Sequence, residues 1–275
     1  MVKDAPFRIG LVQMCSGTSE KHNIDQAEEL VSRACDEGAD LVITPEMSNV
    51  IESDRKRLIA NACSQEESPS VAAFARLARD RRIFLQAGSL ALRGTDGRLV
   101  NRSLVFSPAG EIIAAYDKIH MFDVDLGNGE AYRESAHYRP GSKAVVAQLP
   151  WGGLGMTICY DVRFAGLYRV LAQNGADFLA VPSAFTRPTG RAHWEVLLRA
   201  RAIETGCFVF APAQTGEHES GRRTWGHSLV VSPWGDIIAG AGKKPGILVA
   251  DIDPQKVRQA RARIGALAHD REFEL

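Results

Sequence analysis

The chain has 275 residues, 45% of them hydrophobic and 24% charged, with a mean hydropathy of −0.13. A chain of this length can bury a full core without disulfides or metal staples. Its 33 basic and 33 acidic residues cancel, and a pI near 7.1 excludes a dedicated nucleic-acid binder, which needs a basic excess for phosphate.

Nothing in the sequence reaches the roughly 18–20 apolar residues of a membrane span. The stretch Met1-Val2-Lys3-Asp4-Ala5-Pro6 has no apolar signal-peptide segment. Cys15, Cys35, Cys63, Cys159 and Cys207 are odd in number, scattered, and contain no CxxC. These features predict a cytoplasmic protein with free thiols.

Taken in chain order, Phe7-Arg8-Ile9-Gly10-Leu11-Val12-Gln13 predicts a short strand, and a helix follows over residues 23–36. Gly38-Ala39-Asp40-Leu41-Val42-Ile43-Thr44-Pro45 reads as a glycine helix end, a buried strand and a proline stop. A second helix over 70–80 leads to the strand Ile83-Phe84-Leu85-Gln86-Ala87, and 103–113 reads as a hairpin turning at Pro108-Ala109-Gly110. The polar and aromatic stretch 117–151 is a long connection, of the kind that often carries function.

Then the order repeats. Leu154-Gly155-Met156-Thr157-Ile158-Cys159 is a strand, followed by a helix over 164–174. Gly175-Ala176-Asp177-Phe178-Leu179-Ala180-Val181-Pro182 repeats the earlier wording. A helix over 192–204, the strand Cys207-Phe208-Val209-Phe210-Ala211 and a hairpin over 228–238 complete the echo. Each half is β-α-β-α-β plus a hairpin, and no Pro/Ser/Gly-rich linker divides them. The expected fold is α/β: a four-layer α-β-β-α sandwich with an internal pseudo-twofold repeat, residues 7–118 against 152–245, in one domain over 1–275. Two independent domains are the alternative. The last twenty residues read as a tail, packed on a neighbour or frayed.

Three positions carry candidate chemistry. Cys159 ends a strand just before a helix, where a nucleophile is exposed and a helix N-terminus would lower its pKa; the plain alternative is a buried small hydrophobe, the reading given to the other four cysteines. Glu46 lies just beyond a buried strand, an odd place for a charge without a partner or a reaction, although a turn carboxylate fits as well. Lys118 ends the first hairpin in Tyr116-Asp117-Lys118-Ile119-His120, where a lysine is usually solvated.

The blocks Thr44-Pro45-Glu46, Tyr116-Asp117-Lys118-Ile119-His120 and Gly155-Met156-Thr157-Ile158-Cys159-Tyr160-Asp161-Val162-Arg163-Phe164 together resemble the nitrilase, or carbon–nitrogen hydrolase, superfamily. So do Pro182-Ser183-Ala184-Phe185-Thr186 and the segment from Thr189 to Glu204. The resemblance spans nearly the whole chain and is strongest to the branch of deaminated-glutathione amidases and ω-amidases. It implies the same sandwich fold and makes Glu46, Lys118 and Cys159 a catalytic triad. Glu46 would be the general base, Cys159 the nucleophile that forms a thioester, and Lys118 with the Tyr160 N–H the oxyanion donors. It also implies an auxiliary role for Glu134, and a homodimer or higher homo-oligomer with no cofactor, nucleic acid or membrane partner.

The expected activity is cofactor-independent hydrolysis of a small linear carboxamide, with deaminated glutathione the leading substrate. ω-Amidase action on 2-oxo-acid amides is the alternative, then carbamoylase or nitrilase chemistry, and last a non-catalytic partner protein. Substrate-binding candidates are Tyr160, Arg163, Ser183, Thr186 and Arg187, with Arg187 in the loop Thr186-Arg187-Pro188-Thr189-Gly190 expected to orient a carboxylate. Arg163 and the Arg222-Arg223 pair are further candidate cations for an anionic substrate, with a solvated face the plainer alternative for Arg222 and Arg223. His120, His193 and His227 lack metal-ligand spacing. Glu204 is expected to pair with Arg201, and Lys243 to be solvated. The branch usually has Pro-Glu where this chain has Ala165-Gly166, which weakens the expected helix start and any dimer contact there.

Overall fold

The two similar halves become two six-stranded sheets with the same strand order. A computed structural model describes residues 5–127 and 129–274, so residues 1–4 of the stretch read for a signal peptide lie outside them. The first sheet runs Gly246–Ile252, Phe7–Gln13, Leu41–Ile43, Phe84–Arg93, Leu99–Phe106, Ile112–Asp117. The second runs Val145–Leu149, Gly152–Met156, Ala176–Ala180, Phe208–Ala211, Leu229–Val231, Ile237–Gly240, read from the corresponding edge. The helices are α1 (Glu20–Asp36), α2 (Arg55–Asn61), α3 (Pro69–Arg81), α4 (Ala165–Gln173), α5 (Arg187–Thr205) and α6 (Gln255–Arg263).

Period-two alternation decides which residue faces which layer. Ile9, Leu11, Leu41 and Ile43 point between the sheets and join Leu154, Met156, Phe178 and Phe210 in one buried cluster. Val12, Val42 and Leu85 point outward, under Leu30, Val31 and Ala34 of α1 and Phe74 and Leu77 of α3. At one end Phe7 stacks on Trp151, ring centroids 4.4 Å apart, tying the sheets together. The four-layer α-β-β-α arrangement is therefore present, and both glycines read as helix ends, Gly38 and Gly175, hold positive φ.

Two expectations are corrected. The repeat bounds 7–118 and 152–245 leave out two strands: Gly246–Ile252 pairs antiparallel with Phe7–Gln13, just as Val145–Leu149 pairs with Gly152–Met156. Each sheet therefore gains an edge strand outside the repeat boundaries read from sequence. Only beyond α6 does the chain turn exposed, with Asp270 held by Arg169. Second, 187–190 is not a loop but the first turn of α5. Proline is favourable there because its missing N–H would be unpaired anyway. Gly190 is required inside that helix by close packing, since a Cβ would fall 2.3 Å from Trp225 Cγ.

Candidate active site

Glu46, Lys118 and Cys159 come together at one end of the two sheets, the first two from one half and the cysteine from the other. All are buried, at 3%, 2% and 6% exposure. Glu46 follows the central strand Leu41–Ile43, and the next residue, Met47, holds a left-handed φ of 56° fixed by Met47 N donating to Ser89 Oγ. Cys159 itself has φ 50° at the start of the short 3-10 helix Cys159–Arg163. A non-glycine residue there is strained, and the surrounding contacts must hold it. Its N–H donates to Pro182 O at 3.0 Å.

Lys118 Nζ donates to Glu46 Oε1 at 2.9 Å and to Glu134 Oε1 and Oε2 at 3.0 and 2.8 Å. The Ala184 N–H donates to Glu46 Oε2 at 2.8 Å, and the Phe122 N–H to Glu134 Oε2 at 2.7 Å. Asn101 Nδ2 reaches both carboxylates, at 3.0 and 3.2 Å. Thus two carboxylates share one ammonium, and every bond they accept favours their ionised forms.

The electrostatics follow from burial opposed by these partners. Burial works to raise the Glu46 pKa, but Lys118 and Arg222 outweigh it and hold the carboxyl below its usual range. Burial works to lower the Lys118 pKa, but Glu134 and Glu46 carry it well above the usual value. Burial together with the negative charge of Glu46 pushes the Cys159 thiol up. This corrects the expectation of a helix-lowered thiol: a five-residue helix cannot offset burial beside a carboxylate. The resting site therefore holds a neutral thiol beside an ionised base.

The other candidates are spread around this centre. Tyr160 and Phe164 pack edge to face. The Arg163 guanidinium lies over the Tyr160 and Phe185 rings and contacts His193 Nδ1 at 3.2 Å. Ser183 Oγ donates to Val181 O, and Thr186 Oγ1 pairs with Thr189 Oγ1, so both hydroxyls are engaged locally. Arg187 is exposed and pairs with exposed Glu217 at 3.2 Å. Arg201 bonds Glu204 at 2.9 Å, as expected, and exposed Lys243 sits over the Trp225 ring. Cys15 lies 3.8 Å from His218 Nδ1, but that nitrogen's close partner is Ser16 O, which can only accept, so the ring presents no free base to the thiol. Among the described residues no cluster of three or more His, Cys, Asp or Glu is placed to hold a metal.

Sequence reasoning missed three contributors: Asn101, the Ala184 N–H and Asp161. A polar Asn in the apolar strand Leu99–Phe106 was a usable signal; a backbone N–H leaves none. Asp161 is fully buried and accepts from Ile158 N (2.9 Å), Tyr116 Oη (2.7 Å), His120 N (3.0 Å) and His120 Nδ1 (2.7 Å). It thereby joins the cysteine turn to the segment bearing Lys118. Asp161→Ala would strand these donors, each at about 1–3 kcal/mol. A Tm lower by about 10 °C or more is expected by calorimetry.

With this geometry in place, the comparisons agree with one another. The Carbon-nitrogen hydrolase family matches residues 8–262. A deaminated glutathione amidase of Synechocystis is 39% identical, covering 96% of this chain and 98% of that protein. The C. elegans NitFhit structure superposes with a TM-score of 0.90 at 34% identity, covering 98% of this chain, which spans 66% of that one. An amidase from Nesterenkonia, with acrylamide added at its active-site cysteine, gives 0.78 at 27% identity, covering 94% of this chain and 98% of that one. Family, fold and a buried thiol–carboxylate–ammonium centre converge, and this chain belongs to the carbon–nitrogen hydrolase family as a cysteine-dependent amide hydrolase.

Proposed function

We propose that this enzyme hydrolyses the amide of a small linear carboxamide of the deaminated-glutathione type, with Glu46, Lys118 and Cys159 as the catalytic triad. Cys159 Sγ attacks the carbonyl carbon while Glu46 takes the thiol proton. Lys118 Nζ and the Tyr160 N–H stabilise the oxyanion. The C–N bond breaks as Glu46 returns its proton to the leaving nitrogen, giving a thioester. Water, deprotonated by Glu46, then cleaves the thioester to the acid and frees the thiol. Glu134 holds Lys118 in place and balances its charge.

The observation that carries this reading is a buried Cys159 thiol, pushed toward its neutral form, in the same site as a Glu46 held ionised, whose carboxylate accepts from Lys118, Asn101 and the Ala184 N–H. It makes the base obligatory. Glu46→Gln should lower amide turnover by two orders of magnitude or more, within the range of general-base loss of about 10²–10⁴. Alkylation of Cys159 by iodoacetamide should slow in parallel. Ammonia and amine release from a panel with deaminated glutathione, 2-oxo-acid amides and simple amides tests the substrate assignment. Preference for the 2-oxo-acid amides would move the reading to an ω-amidase.

This reading treats residues 1–275 as one catalytic domain, acting in the cytoplasm. Among the described residues no helix is long and apolar enough to cross a membrane. Pairing into a homodimer would cover Phe164, Val170, Val196 and Ile203, exposed on or beside α4 and α5. Tyr168 and Leu171 of α4 are buried in the core and would lie beneath such a contact. Light scattering should give twice the chain mass of 30.0 kDa at micromolar concentration, and a monomer would overturn the pairing.

A further inference from the structure

We infer that Arg222 is the residue that seats a carboxylate of the substrate; the inference rests on the amidase reading above. Lys118 is committed to Glu46 and Glu134, and Arg187 is exposed and paired with Glu217. Arg163 is bonded to His193 and flanked by two rings, and Arg223 is exposed.

Arg222 differs from all of them. Its guanidinium is half-buried, with Tyr132 at 5.6 Å on one face, and Nη2 donates to Ala184 O at 2.7 Å. Its Nε is buried without a hydrogen-bond partner, and it forms no ion pair among the described residues. Buried polar groups are nearly always satisfied, so an orphaned guanidinium N–H marks a place for an acceptor. Nε with the second N–H of Nη2 forms the fork that matches a carboxylate.

Its position supports the same conclusion. Ala184, whose carbonyl Arg222 holds, donates its own N–H to Glu46. Arg222 is therefore one peptide unit from the reacting groups. Glu46, Glu134 and Lys118 alone leave the site with one net negative charge, which would repel an anion. Arg222 neutralises that charge and adds a directional partner. The solvated-face reading of Arg222 from sequence does not hold, whereas Arg223 fits it.

The test compares glutaramate, an anionic amide, with valeramide, a neutral amide of equal length. Arg222→Gln should lower kcat/KM for glutaramate by about 10- to 100-fold, chiefly through KM, the range of a lost charge-assisted pair. Valeramide should lose only several-fold, through the weakened Ala184 support. The glutaramate/valeramide ratio should thus fall at least tenfold. Arg222→Lys, which keeps the charge but not the fork, should recover part of it. Glutarate should inhibit valeramide hydrolysis by the wild type and fail to inhibit Arg222→Gln. Equal losses on both amides, or loss of preference in Arg163→Gln or Arg187→Gln but not in Arg222→Gln, would overturn the inference and leave the amidase reading standing. Failure of the wild type to hydrolyse either amide would instead remove the amidase reading with it.

Discussion

Cys159→Ala is expected to lower amide turnover by at least three orders of magnitude while shifting Tm by no more than about 3 °C. The catalytic loss follows because no other thiol touches the Glu46–Lys118 pair. Cys207 lies elsewhere, bonded to Ala176 O and Arg261, and the Cys15 thiol contacts Glu217 O and His218 Nδ1. The small stability effect has a separate cause. Alanine is no more strained than cysteine at a φ of 50°, and Glu46 keeps Lys118, Asn101 and the Ala184 N–H. Retention of a tenth of wild-type turnover, measured by ammonia release, would sink the nucleophile assignment.

Lys118→Met is expected to damage both function and fold, and Lys118→Arg mainly function. With the ammonium gone, Glu46 and Glu134 share only Asn101 and would face each other as buried carboxylates. Breaking a buried pair of this kind costs about 3–5 kcal/mol, and losing an oxyanion donor costs about 10²–10³ in kcat. Arginine retains charge but cannot place a planar fork where Nζ sits 2.8–3.0 Å from three carboxylate oxygens.

The pH dependence has a definite sign. Glu46, with its lowered pKa, contributes stability that is full above the unfolded glutamate value and lost as pH falls through the folded one. Lys118, with its raised pKa, contributes stability that is full below the unfolded lysine value and lost as pH rises through the folded one. In Lys118→Met, protonating one glutamate relieves repulsion. The Tm deficit of this variant against wild type should therefore shrink from neutral pH toward about pH 4. A deficit that grows on acidification would contradict the shared-cation arrangement.

The repeated wording of the two halves made the sheets and their hairpins legible, because alternation and glycine–proline punctuation are local signals. Gly246–Ile252 escaped because its partner, Phe7–Gln13, lies at the opposite end of the chain, and only tertiary pairing makes it an edge strand. Residues 187–190 were misread because proline and glycine suggest a loop, whereas here proline opens the helix and glycine admits Trp225. Glu46, Lys118 and Cys159 each looked ordinary alone, and family resemblance rather than spacing joined them. Asp161 stood within the matched block, but three of its four hydrogen-bond donors come from Tyr116 and His120, about forty residues away. Arg222 and Arg223 are indistinguishable as sequence, and only the path of the chain half-buries one and exposes the other.

The thioester itself gives the most direct test. Wild-type protein mixed with a slowly turned-over amide, quenched in acid and mapped by peptide mass, should carry the acyl group on Cys159 alone among the five cysteines. The same quench of Cys159→Ala should show no acylated peptide. Acyl mass on another residue, or steady turnover with Cys159 never acylated, would contradict the account.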